Sequence, residues 1–123
     1  MEILRIEPTN LTPFVLLDGS GNLELSGRSI PENSLEFYQP VYEWLDAYLE
    51  NPLDKTIFEV KLDYFNTSSS KCILDILKKI DKLESKGLDV LVKWYYNEND
   101  EDMKEAGEDY GDLLDAPFEL IAI

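Results

Sequence analysis

Asn66-Thr67-Ser68-Ser69-Ser70-Lys71 places four hydroxyl side chains in a row, between segments of different hydrophobic period. Three chemistries suit such a run. The first is nucleophilic: Ser68 and Lys71 have the S-x-x-K spacing in which a lysine activates a serine. That chemistry also requires S-D-N and K-T-G elements, and neither occurs in the chain. The second is structural, because a hydroxyl oxygen satisfies a free amide in the first turn of a helix. One cap accounts for one hydroxyl and leaves three unexplained. The third is regulatory. Phosphorylation adds about −1.5 to −2 charges to a hydroxyl, and a helix N-terminus tolerates an added anion.

Other routes to chemistry are thin. The chain has no histidine, which removes the commonest general base, metal ligand and triad member. Cys72, the single cysteine, lies beside an apolar stripe and is expected to be core filler, and no internal disulfide can form. Gly19 and Gly21 belong to a turn, and no phosphate-binding glycine pattern is present. Asn97, Asn99, Glu101 and Glu108 occupy the first, third, fifth and twelfth positions of an EF-hand-like loop. Asp102 stands where that loop needs glycine, so a solvated helix face or a partner surface explains the carboxylates better. No metal or other cofactor is expected. Paired carboxylates abound, but nothing in the sequence orients a pair against a substrate.

The elements around the hydroxyl run can be read from period and punctuation. Phe58, Val60, Leu62 and Tyr64 alternate with polar residues, as in a half-buried strand. From Thr67 the period changes: Ile73, Ile76, Leu77, Ile80 and Leu83 share one helical face, and Gly87 suits the residue after a helix end. Thr67 or Ser68 is expected to cap this helix, with the acceptor hydroxyl reachable from solvent, and the helix to end near Lys86. Leu88, Val90, Val92, Trp94 and Tyr96 alternate again, completing a central βαβ unit with parallel strands. Before it, Met1–Glu7, Phe14–Asp18 and the stretch around Leu23 and Leu25 read as a β-meander turning through Asp18-Gly19-Ser20-Gly21-Asn22. A helix capped by Asn33 follows, with a kink or break expected at Pro40 and an end at Asn51-Pro52. The segment 97–115 should hold a third helix, and 118–123 a last short strand. The fold class expected is α/β: one domain over residues 1–123, a mixed sheet with helices mainly on one face.

Charge narrows the partners. With 26 acidic and 11 basic residues the net charge is −15, which repels phosphate backbones and anionic lipid. Nucleic acid and membrane insertion are therefore not expected. A basic protein surface fits, and plain solubility is the bland alternative. Neither a secretory leader nor an apolar run of ~20 residues is visible, and the lone cysteine points to a reducing, cytoplasmic setting.

Three segments in this order carry a family likeness. Ser26-Gly27-Arg28-Ser29-Ile30-Pro31-Glu32-Asn33, then Tyr64-Phe65-Asn66-Thr67-Ser68-Ser69-Ser70-Lys71, then Trp94-Tyr95-Tyr96 with the acidic run and Pro117-Phe118, resemble the SiaC family of bacterial regulatory phosphoproteins. The resemblance implies an architecture like the anti-sigma factor antagonist (STAS) domain and a non-enzymatic signalling role. It implies that a serine/threonine protein kinase phosphorylates the threonine of the N-T-S-S element, here Thr67. A phosphatase of the PP2C type reverses the modification, and the unmodified form binds and activates a target such as a diguanylate cyclase. The extra serine at Ser70 leaves the acceptor open between Thr67 and Ser68. Partner contacts are expected from Arg28, Glu32, Asn33, Asn66, Ser68, Ser69 and Lys71. Arg28 is expected in a loop with Gly27 and Pro31 that borders the switch, although Asn33 equally suits a simple cap. The competing expectation is a constitutive interaction or assembly module without a switch.

Overall fold

The computed structural model describes residues 1–123. Six strands and three helices follow one another as β1 (Leu4–Ile6), β2 (Phe14–Leu17), β3 (Asn22–Ser29), α1 (Ser34–Glu50), β4 (Lys55–Phe65), α2 (Thr67–Ser85), β5 (Asp89–Tyr96), α3 (Glu101–Asp112) and β6 (Phe118–Ala122). They form one mixed sheet whose spatial order is also the chain order. β1, β2 and β3 are antiparallel neighbours, the meander expected from the sequence. From β3 onward every neighbour is parallel, so α1, α2 and α3 each bridge a parallel pair. The sequence pattern marked one βαβ unit; the chain has three in succession.

Alternation along the strands decides where the helices sit. Leu23 and Leu25 of β3, Phe58 and Val60 of β4, and Val90, Val92 and Trp94 of β5 are buried, while their immediate neighbours are not. This apolar face meets Tyr38, Val41 and Leu45 from α1 and Ile73, Ile76 and Ile80 from α2 in a single core. α3 lies on the same face over β5 and β6. The Trp94 indole donates to the Met103 carbonyl at 3.0 Å. A β-carbon added at Gly107 would come within 2.5 Å of Trp94 and 2.6 Å of Leu120, so only glycine lets α3 approach that closely.

Two local expectations need correction. Of the kink or break expected at Pro40, the break does not occur: α1 runs continuously through Pro40, which sits on its exposed side. There, water can reach the Glu36 carbonyl that a proline cannot satisfy, while the buried face holds the helix together. Arg28 lies in strand β3, not in a loop. A register shift between Gly27 (φ +96°) and Arg28 pairs Arg28 with Tyr64 and Ser29 with Phe65.

Candidate functional site

Parallel neighbours β3 and β4 end side by side, and each leads into a helix, β4 through Asn66 alone and β3 through the four residues 30–33. This puts the starts of α1 and α2 next to one another at the carboxyl edge of the sheet, where open α/β sheets form their crevices. Asn33 caps α1, its side chain accepting from the Glu36 amide at 3.1 Å. Asn66 caps α2 in the same way, accepting from the Ser69 amide at 2.9 Å, while its carbonyl takes the Ser70 amide. The Asn66 amide donates back to the Ser29 carbonyl at 3.0 Å, which ties the two junctions together.

The cap of α2 is therefore Asn66, and neither Thr67 nor Ser68 performs that role. An asparagine outside the first turn already fills the amide that a hydroxyl would have satisfied. The four hydroxyls are thereby free for four different positions. Ser69 is fully buried: it donates to the Ser29 carbonyl at 3.0 Å and accepts from the Ser29 hydroxyl at 2.8 Å. The Ser29 hydroxyl in turn lies 2.6 Å from the Tyr38 hydroxyl of α1. Since Ser29 gives its single proton to Ser69, Tyr38 is the donor in that pair. Burial raises the Tyr38 pKa far above the ordinary tyrosine range, with its bond to Ser29 opposing part of that rise, so it stays protonated. Ser70 donates to the Thr67 carbonyl at 2.6 Å, and its own carbonyl accepts from Tyr110 of α3 at 2.9 Å. Ser68 is paired with Ser34 and Asn66. The Thr67 hydroxyl alone is exposed with no partner inside the chain.

Thr67 opens onto a groove between the two helix starts. Glu32, Asn33, Ser34 and Leu35 form one wall, and Thr67, Ser68, Lys71, Cys72 and Asp75 form the other. Leu35 is 67% exposed, an apolar residue left bare beside a polar rim. Lys71 lies one turn after Thr67 and makes no salt bridge, the chain's two being Arg5–Glu7 and Lys79–Asp46. Cys72 is buried beneath the groove. The first turn of α2 carries no carboxylate, whereas α1 has Glu36 and α3 has Glu101 and Asp102 there.

Of the residues expected at a partner surface, Glu32, Asn33, Ser68 and Lys71 come together around Thr67, with Asn66 behind them. Two do not. Ser69 is 0% exposed, so it cannot touch a partner and instead anchors α2 to β3. Arg28 is exposed at the same end of the sheet, but on the face opposite the helices, because the neighbouring Ser29 is the one turned into the core. Sequence reasoning missed Leu35, Ser34 and the role of the Tyr38 hydroxyl. Only Leu35 left a trace, as a leucine outside the stripe of Tyr38, Val41 and Leu45. The acidic segment does not form an ion loop. Asp100 caps α3, and Glu101 and Glu108 are separated along that helix by about 10 Å at 1.5 Å per residue.

A family model described as SiaC family regulatory phosphoprotein matches residues 6–123. An uncharacterised protein of Pseudomonas aeruginosa strain UCBPP-PA14 is 32% identical over 123 residues, covering 99% of this chain and 98% of that relative. Among solved structures, apo-SiaC from Pseudomonas aeruginosa superposes with a TM-score of 0.92 at 31% identity, covering 99% of this chain and all of the other. The same score and identity hold for a crystal structure of the diguanylate cyclase SiaD in complex with its activator SiaC, also from Pseudomonas aeruginosa, with 98% and 99% coverage. No helix of the present chain is long and apolar enough to cross a membrane.

Proposed function

The chain belongs to the SiaC family of regulatory phosphoproteins, and from that premise we propose that it is a phosphorylation-controlled activator of a diguanylate cyclase. In its unmodified form it binds the cyclase and raises its activity. A serine/threonine protein kinase adds phosphate at Thr67 and ends the interaction, and a PP2C-type phosphatase restores it. This is a partner switch of the kind used by anti-sigma factor antagonists, worked in the cytoplasm by a chain that acts through contact alone.

The observation that carries this account is the state of the Thr67 hydroxyl. It is exposed, unpartnered, and set in a groove beside the bare Leu35, among hydroxyls otherwise engaged within the fold. A partner seated there would cover Leu35 and meet a neutral threonine. A phosphate would bring about −1.5 to −2 charges into a groove already lined by Glu32 and Asp75, with Lys71 the one cation on its walls. Desolvating that group under a partner is costly, while outside the complex the fold bears it easily. The Thr67 and Ser68 amides lack intrahelical partners, and the helix dipole favours an anion at that end.

The test is enzymatic. Cyclic di-GMP formation from GTP by the diguanylate cyclase of the same host is followed as unmodified chain is added. The expected result is a saturable rise in rate. A rate unchanged at a large excess of chain overturns the activator function.

A further inference from the structure

We propose that Ser34, on α1, selects the phosphoacceptor by locking the Ser68 hydroxyl, so that Thr67 is modified and its neighbour is not. The proposal rests on the phosphorylation reading above and deepens it. Thr67 and Ser68 are consecutive, both exposed and both hydroxyl-bearing at the rim of the same groove, so sequence and accessibility do not separate them. Hydrogen bonding does. The Ser68 oxygen lies 3.2 Å from the Asn66 side-chain oxygen, which can only accept, and 2.7 Å from the Ser34 hydroxyl. Each hydroxyl owns one proton. Ser68 spends its proton on Asn66, so Ser34 must donate to Ser68. Ser34 itself is 6% exposed and held in the first turn of α1.

Phosphoryl transfer needs the reverse of this arrangement. The acceptor oxygen attacks the γ-phosphorus of the kinase's nucleoside triphosphate and the bond to the diphosphate leaving group breaks. The hydroxyl proton passes to a base on the kinase. Ser68 has its proton committed to Asn66, one lone pair committed to Ser34, and α1 standing against it. To react it must release its proton from Asn66, and its one remaining lone pair must reach the phosphorus past the Ser34 donor; each neutral bond lost corresponds to roughly a tenfold change in equilibrium. Thr67 gives up nothing. Ser69 is excluded by burial and Ser70 by its bond to the Thr67 carbonyl. Ser34 is thus a specificity-determining residue that touches neither nucleotide nor phosphate.

The experiment maps phosphate by peptide mass spectrometry on chain re-isolated from its native host, as wild type, Thr67→Ala, Ser34→Ala/Thr67→Ala and Ser34→Thr/Thr67→Ala. Phosphate is expected on Thr67 alone in the wild type and at most as a trace on Ser68 in Thr67→Ala. Ser68 phosphate should appear in Ser34→Ala/Thr67→Ala at least about tenfold above Thr67→Ala, and be suppressed again by Ser34→Thr, which returns the donor. Asn33 still caps α1 in each variant, and circular dichroism verifies the fold. Should the alanine variant unfold, Ser34→Cys/Thr67→Ala replaces a strong donor by a weak one and is read the same way. Equal Ser68 phosphate with and without the Ser34 hydroxyl, whether high or absent, overturns the selection by Ser34 while leaving a phosphorylated Thr67 intact. A wild-type chain bearing no phosphate removes the phospho-switch itself, and the selection with it.

Discussion

Replacing Ser29 by alanine removes the middle of a buried hydroxyl chain that runs from Tyr38 on α1, through Ser29 on β3, to Ser69 on α2. All three residues are 0% exposed, so water cannot stand in for a lost partner. In Ser29→Ala the Tyr38 O–H keeps its proton but loses its acceptor, a cost of about 1–3 kcal/mol for an orphaned buried donor. The lost donation to Ser69 adds about 0.5–1.5 kcal/mol, for a total near 2–4 kcal/mol. Tyr38→Phe is milder, because it removes the donor together with its need and leaves Ser29 bonded to Ser69; about 0.5–1.5 kcal/mol is expected. In the double variant no donor is orphaned, so it should lose less than the sum of the singles, with a coupling of about 1–2 kcal/mol. Urea denaturation of the four proteins measures this, provided the slope with denaturant is unchanged. Additivity within about 0.5 kcal/mol, or a loss below about 0.5 kcal/mol for Ser29→Ala, would show that this chain does not anchor α2.

Two further outcomes follow from the same region. Because Asn66 is the cap and Thr67 is not, Asn66→Ala should lose about 0.5–2 kcal/mol while Thr67→Ala stays within about 0.5 kcal/mol of the parent in thermal melting; the opposite order would reassign the cap. Burial lifts the Tyr110 pKa from the ordinary value near 10 to about 12, its bond at Ser70 offsetting part of the rise, so the folded state keeps a proton that the unfolded state gives up. Its contribution is whole below pH 10 and is lost as pH rises through 12, so Tyr110→Phe should flatten the fall in stability across that window, and an unchanged slope would count against it.

Most of the architecture was legible because period and punctuation agree along this chain. Val60 against Ile73 shows the pattern passing from 2 to 3.6 at the hydroxyl run, and α2 indeed spans Thr67–Ser85. The features that escaped depend on pairs distant in sequence. Proline statistics do not register that Pro40 falls on the solvent side of a helix whose other face is held by the core. Arg28 looked like a loop residue because Gly27 and Pro31 flank it, whereas the bulge that turns it away from the helices depends on its register with Tyr64. The largest misreading concerned four adjacent hydroxyls of similar chemistry. A buried anchor at Ser69, a locked neighbour at Ser68 and a free Thr67 become distinct only when Ser29, Ser34 and Asn66 are placed beside them. Glu32, Asn33 and Lys71 line one groove with Thr67 because parallel neighbouring strands must deliver both helix starts to one edge.

Under the proposed function, charge at Thr67 ends partner binding without unfolding the chain. The most direct measurement is the affinity of stoichiometrically phosphorylated and unmodified chain for the isolated diguanylate cyclase, at one ionic strength, by calorimetry. A desolvation and repulsion cost of a few kcal/mol predicts that phosphorylation weakens binding about 100-fold or more, with circular dichroism of the two forms superimposable. Equal affinities for the two forms would contradict the switch.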